Sequence, residues 1–109
     1  MSTTNTLLTE GTQDNFQRDV LDSQEPVLVD FWASWCGPCR ALKPTVEHVA
    51  QERQQRTVFV NVDENPELAA QFGIQSIPAL RLFKGGELIA ARNGAVPKAE
   101  LERWLDEQS

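Results

Sequence analysis

The chain has 109 residues, of which 40% are hydrophobic and 24% charged, a balance that excludes a disordered tail and gives one core burying roughly 65% of the unfolded surface. Its net charge of −6, with no cluster of Lys or Arg, excludes a protein that neutralises phosphates, and no stretch approaches the ~20 apolar residues of a membrane span. The first residues carry neither a basic segment nor an apolar leader, so we expect one soluble, monomeric, cytoplasmic domain over residues 1–109 with residues 1–5 loose.

In chain order, a weak strand near Thr6 to Thr9 precedes a helix expected from Thr12 to about Leu21, with Phe16, Val20 and Leu21 inward. "PVLVDFW", Pro26 to Trp32, is short, β-branched and apolar on both alternating faces except at Asp30, which suits a buried central strand with one anomalous acid. After Cys36 the pattern turns helical, with Leu42, Val46, Val49 and Ala50 on one stripe ending near Arg53 or Gln54, and Pro44 predicts a bend near Arg40. "TVFVNVD", Thr57 to Asp63, reads as a second strand of this type. The helix in "NPELAAQFG" follows it, with Asn65 as cap, Pro66 at its first position and Gly73 at its end. "ALRLF" and "ELIAAR" flank "KGG" as an antiparallel hairpin, and a last helix runs from Pro97 to about Glu107 with Leu101, Trp104 and Leu105 inward. The order predicts an α/β fold, a mixed sheet with helices on both faces.

Both cysteines of the chain, Cys36 and Cys39, lie at the start of the second helix. A four-residue ring removes only about 2 kcal/mol of unfolded-chain entropy, so the pair is poorly placed as a structural staple. A zinc site would need two more thiol or imidazole ligands, and the chain offers only His48, whose place within a helix suits a surface residue. A thiol in the first helical turn meets unpaired backbone N–H groups and the positive end of the helix dipole, which favour thiolate at Cys36. Cys39 lies one turn further in, close enough for a disulfide and shielded from solvent, where it can resolve a mixed disulfide. Gly37 permits the tight loop and Pro38 restricts it.

"FWASWCGPC" resembles the active-site signature of the thioredoxin family, and "FGIQSIPALRLFKGGE" with Gly94-Ala95 resembles its second half, so the similarity covers about Thr12 to Leu105. The resemblance implies the thioredoxin fold: a mixed parallel and antiparallel central sheet of about five strands flanked by about four helices. It implies a protein-disulfide reductase with Cys36 as nucleophile, Cys39 as resolving thiol and Asp30 as the buried acid that, through water, takes the proton of Cys39. The bottom-up reading adds that burial should raise the pKa of Asp30; an acid hydrogen-bonded for structure alone is the alternative. Ile77-Pro78 resembles the family's cis-proline element, and Trp35, Gly37, Pro38, Ile77, Gly94 and Ala95 match its substrate-facing rim, with Trp32 serving either packing or contact.

No cofactor beyond the redox-active thiols is implied. The implied partners are disulfide-bonded proteins and a flavin-dependent, NADPH-dependent thioredoxin reductase. Several residues depart from the family pattern. Phe59 stands where many relatives carry a lysine near the buried acid, which should raise the pKa of Asp30 further. Arg81 is an unexpected strand charge, read either as a solvated face or as a replacement for that lysine reaching Asp30. Ala79 replaces a common Thr and Asn93 a common apolar residue, which makes the rim more polar. The same thiols could serve an oxidant or isomerase, or be secondary in a client-binding module.

Overall fold

A computed structural model describes residues 7–108. The expectations for residues 1–5, and the start of the first strand at Thr6, lie outside them. Five strands form one sheet: β1 (Leu8–Glu10), β2 (Val27–Trp32), β3 (Thr57–Asn61), β4 (Ala79–Lys84) and β5 (Glu87–Asn93), in the order β1-β3-β2-β4-β5. β1 and β2 both run parallel to β3, whereas β4 is antiparallel to β2 and to β5. Three helices, α1 (Gly37–Arg53), α2 (Pro66–Gln71) and α3 (Lys98–Glu107), join a short π-helical segment, Gln17–Leu21. The α/β class, five strands and four helical elements agree with the expectation.

Alternation along β2 sorts the two cores. Leu28 faces Leu42, Val46, Val49, Leu80, Leu101 and Trp104 from α1, β4 and α3, while Val27, Val29 and Phe31 face Phe16, Val20, Val58 and Phe83 on the opposite side. Phe16, Phe72 and Phe83 pack ring to ring at centroid distances of 5.3 to 5.9 Å, closing the second core beneath the hairpin. Asp30 belongs by parity to the first face, directly opposite Phe59 on β3 and Leu80 on β4. It is thus the polar residue of the face that α1 covers.

Helix α1 begins and ends as its sequence predicts, with Pro44 accommodated inside one continuous helix and Gln54 closing it in the left-handed region at φ 55°. In the hairpin, Gly85 and Gly86 have φ of 59° and 83°, the pair of positive values that a two-residue primed turn demands. Gly73, at φ 64°, follows the end of α2.

Three local expectations need correction. The regular α-helix from Thr12 is replaced by a turn, in which the Thr12 N–H donates to Asn15 Oδ1 at 2.8 Å and the Asn15 N–H to Thr12 Oγ1 at 3.3 Å, before the π-helical segment. There Asp19 and Val20 are buried side by side, Asp19 pairing with Arg18 at 2.8 Å and lying 3.9 Å from Arg56, while Leu21 is only half-buried. Asn65 occupies the cap position of α2, yet its side chain caps nothing: Oδ1 accepts from the Gln13 N–H at 3.0 Å and Nδ2 donates to the Asn61 carbonyl at 3.1 Å. β3 stops at Asn61 because that side chain takes the Asp63 and Glu64 N–H groups at 2.9 and 3.3 Å, turning the chain early.

Candidate active site

Cys36 is the N-cap residue of α1, extended at φ −89° and ψ 107°, with Gly37 and Pro38 as the first two helical residues. Pro38 occupies a position whose N–H would have no helical partner, so it costs the helix nothing. The Cys39 N–H, one of the unpaired donors of the first turn, points at Cys36 Sγ, 3.1 Å away. Cys36 and Cys39 form a disulfide with their Cα atoms 5.2 Å apart.

The sequence suggested that Cys39 is the shielded one of the two thiols. In the oxidised protein both are buried, at 4% and 3% exposure, because the ring tucks against Ala33, Trp32, Val62 and Ile77. Surroundings, not exposure, distinguish them. Cys36 Sγ lies 3.9 Å from the Ile77 carbonyl oxygen, on the side of the cis Ile77–Pro78 bond. Cys39 instead lines a cavity of about 340 Å³ with Asp30, Trp32, Arg40, Lys43 and Phe59.

Trp35 is 66% exposed, yet its Nε1–H donates to Asp63 Oδ2 at 2.8 Å, which fixes the indole beside the disulfide. Asp63 was missed in the sequence, where it reads as a strand end. Trp35 and Ile77 line one groove with Val62, Ala69 and Ile74. Gly94, at φ 91°, donates its N–H to the Pro78 carbonyl at 2.7 Å, tying the segment after β5 to the cis-proline. Gly37 and Pro38 are exposed at the helix start; Ala95 is exposed too, but lines a separate depression with Ala41 and Thr45.

Asp30 is 2% exposed and its Oδ1 has no hydrogen-bond partner, which argues against a purely structural, hydrogen-bonded acid. Burial pushes its pKa up to about 7, opposed by the positive charge of Lys43. The expectation that Arg81 reaches Asp30 is wrong. Arg81 pairs across the sheet with Val29 and so faces the opposite core, its Nη1 donating to the Leu80 and Arg92 carbonyls and to Asn93 Oδ1 at 2.9 to 3.2 Å. It is also no solvated charge, at 8% exposure. The cation near the acid is Lys43 on α1, which the sequence reading passed over because an exposed helical lysine four residues after Cys39 carries no pattern of its own. Its Nζ lies 5.7 Å from the Trp32 ring centroid and 5.6 Å from that of Phe59. His48 sits on the helix surface, 3.1 Å from Glu52. Among the described residues, no group of three or more His, Cys, Asp or Glu could hold a metal ion, and no helix is long and apolar enough to cross a membrane.

A disulfide closed within one helical turn, with a buried acid of raised pKa behind it, is the equipment of a dithiol–disulfide exchange protein. The thioredoxin family model matches residues 8–107. Thioredoxin 1 of Nostoc sp. is 53% identical over 97 residues, covering 87% of this chain and 91% of its own. The thioredoxin of Chlorobaculum thiosulfatiphilum is 47% identical over 100 residues (90% and 93%), and that of Streptomyces clavuligerus 48% over 98 (89% and 92%). The chain belongs to the thioredoxin family. It is a thiol–disulfide oxidoreductase of the protein-disulfide reductase type, exchanging electrons with disulfide-bonded proteins and with a reductase.

Proposed function

We propose that Cys36 attacks, Cys39 resolves and Asp30 moves the proton. In the reduced protein the Cys36 thiolate attacks one sulfur of a substrate disulfide, forming a mixed disulfide and expelling the first substrate thiolate. Cys39 then gives its proton to the Asp30 carboxylate and attacks Cys36 Sγ, forming the intramolecular disulfide and expelling the second substrate thiolate. Each released thiolate takes up a proton, so two electrons leave the dithiol and one substrate disulfide becomes two thiols. The observation that carries this assignment is the division of surroundings: Cys36 lies beside the cis-proline loop, Cys39 beside the cavity of Asp30.

Trp35, Gly37, Pro38, Ile77, Pro78, Gly94 and Ala95 form the rim for an extended substrate segment. The groove shared by Trp35 and Ile77 supports this for those two residues. The electron source on this reading is a flavin-dependent, NADPH-dependent thioredoxin reductase, the compartment is the cytoplasm, and no metal or further cofactor enters the exchange.

The test is the redox equilibrium of Cys36 and Cys39 against dithiothreitol, read by thiol alkylation and mass. A potential more reducing than the cytosolic glutathione pool is expected; a clearly more oxidising one would assign an oxidant or isomerase instead. The Cys39→Ser variant should accumulate a mixed disulfide through Cys36 with a model substrate, and accumulation in Cys36→Ser instead would reverse the roles.

A further inference from the structure

The cavity behind Cys39 contains one feature that this mechanism has not used. Lys43 projects from the exposed side of α1, yet its ammonium lies within cation–π range of two rings, Trp32 on β2 and Phe59 on β3. Glu47 stands four residues on, the spacing that favours a helical ion pair, but the pair does not form among the described residues. The rings hold the ammonium at the cavity that contains the buried carboxyl, and Phe59, which bears one of them, sits directly opposite Asp30 in the sheet.

We propose that Lys43 is a positioning residue for the resolving step: its ammonium, held by Trp32 and Phe59, favours the ionised form of Asp30, the form that can accept the proton of Cys39. This rests on the reading that Asp30 accepts that proton. The step is balanced within the site: the Cys39 S–H bond breaks, an O–H bond forms on Asp30, and no electron changes owner until the Cys39 thiolate attacks Cys36. The neutral acid later returns its proton to water through the cavity. The charged groups around it are few. Arg40 and Glu47 on α1 line the same cavity, Glu10 on β1 borders the adjoining depression with Lys43, and the residues of β3 and β4 opposite Asp30 are the uncharged Phe59 and Leu80. The direction of the Lys43 effect on Asp30 agrees, opposing the rise caused by burial.

The experiment follows the Asp30 carboxyl by carbon NMR through a pH titration of the oxidised protein, in the wild type, Lys43→Gln, Lys43→Arg and Lys43→Gln/Phe59→Lys. The titration midpoint should rise by about 0.5 to 1 unit in Lys43→Gln and stay near wild type in Lys43→Arg. It should fall back in the double variant, because a lysine at 59 would stand opposite Asp30. A parallel stopped-flow measurement near pH 6.5 should show the attack of Cys39 on a preformed mixed disulfide slowed about two- to fourfold in Lys43→Gln. Formation of that mixed disulfide, measured in a Cys39→Ser background, should keep its wild-type rate. An unchanged midpoint in Lys43→Gln overturns the proposal, as does an equal effect of Gln and Arg. If the midpoint moves and the resolving rate does not, the proton-acceptor role of Asp30 falls and the proposal falls with it. If Asp30→Asn slows resolution while Lys43→Gln moves neither quantity, only the role of Lys43 is lost.

Discussion

Asp30 is a carboxyl in the middle of a strand whose neighbours are apolar, and its cost to the fold depends on pH. Its pKa is raised in the folded protein from an ordinary 3.8 to about 7. A group raised in this way contributes its full stability below the unfolded value, and loses it as pH climbs through the folded one. Between pH 4 and pH 8 the oxidised protein should therefore lose about 4 kcal/mol of unfolding free energy on account of this one carboxyl, an upper figure because the site relaxes and admits water. Asp30→Asn removes the titration while keeping the shape. Urea unfolding at pH 4.5 and pH 8 should show the variant gaining on the wild type by a few kcal/mol at the higher pH, and parallel curves would show that Asp30 is not the buried titrating group. The anomaly was legible in "PVLVDFW" as a polar break in an apolar run, whereas its counter-charge was not. Lys43 acquires meaning only when the sheet brings Phe59 opposite Asp30 and the helix crosses both.

At the scale of elements, periodicity carried the strands and α1, because apolar spacing and end signals coincide there. It failed for the segment after Thr12, where Thr12 and Asn15 close a turn and a charged Asp19, paired with Arg18, takes a buried position that no apolar stripe marks. It also left Arg81 and Asn93 as two separate oddities. In the sheet they are one: Ala79 stands opposite Asn93, so Arg81 reaches diagonally to Asn93 Oδ1 at 2.9 Å and anchors the end of β5 just before Gly94. Asn93→Val should cost about 1 to 3 kcal/mol by depriving a buried guanidinium of an acceptor. Arg81→Leu in the same chain should recover part of that loss, since both members of the polar pair are then gone. A double-mutant cycle by denaturant unfolding checks this, and strictly additive losses would show that the carbonyls of Leu80 and Arg92 satisfy Arg81 without Asn93.

For the molecule as a whole, the class of fold was legible because β-α-β order and hairpin punctuation leave few topologies. The order β1-β3-β2-β4-β5 was legible only at its β4-β5 hairpin, since the other pairings join residues distant in sequence and nothing local names those neighbours. That global frame governs the redox couple through a thermodynamic cycle: the difference in stability between oxidised and reduced protein equals the difference in the ease of forming the disulfide in folded and unfolded chains. The ring closes over a sequence separation of 3, so in the unfolded chain closure costs about 2 kcal/mol of conformational entropy, whereas the first turn of α1 already holds Cys36 and Cys39 in place. The oxidised protein should therefore be the more stable by about 2 kcal/mol, roughly 9 °C in Tm for a chain of this length. By the same cycle, the folded dithiol should be more reducing than its own unfolded chain by roughly 40 mV. Calorimetry of both forms at pH 5, where Asp30 stays largely protonated and does not enter the difference, measures the first quantity. Equilibration with dithiothreitol in the presence and absence of denaturant measures the second. If the reduced form proved equally stable, the native dithiol would have to gain interactions of its own that offset the loop term, and the chain would be a weaker reductant than its fold predicts.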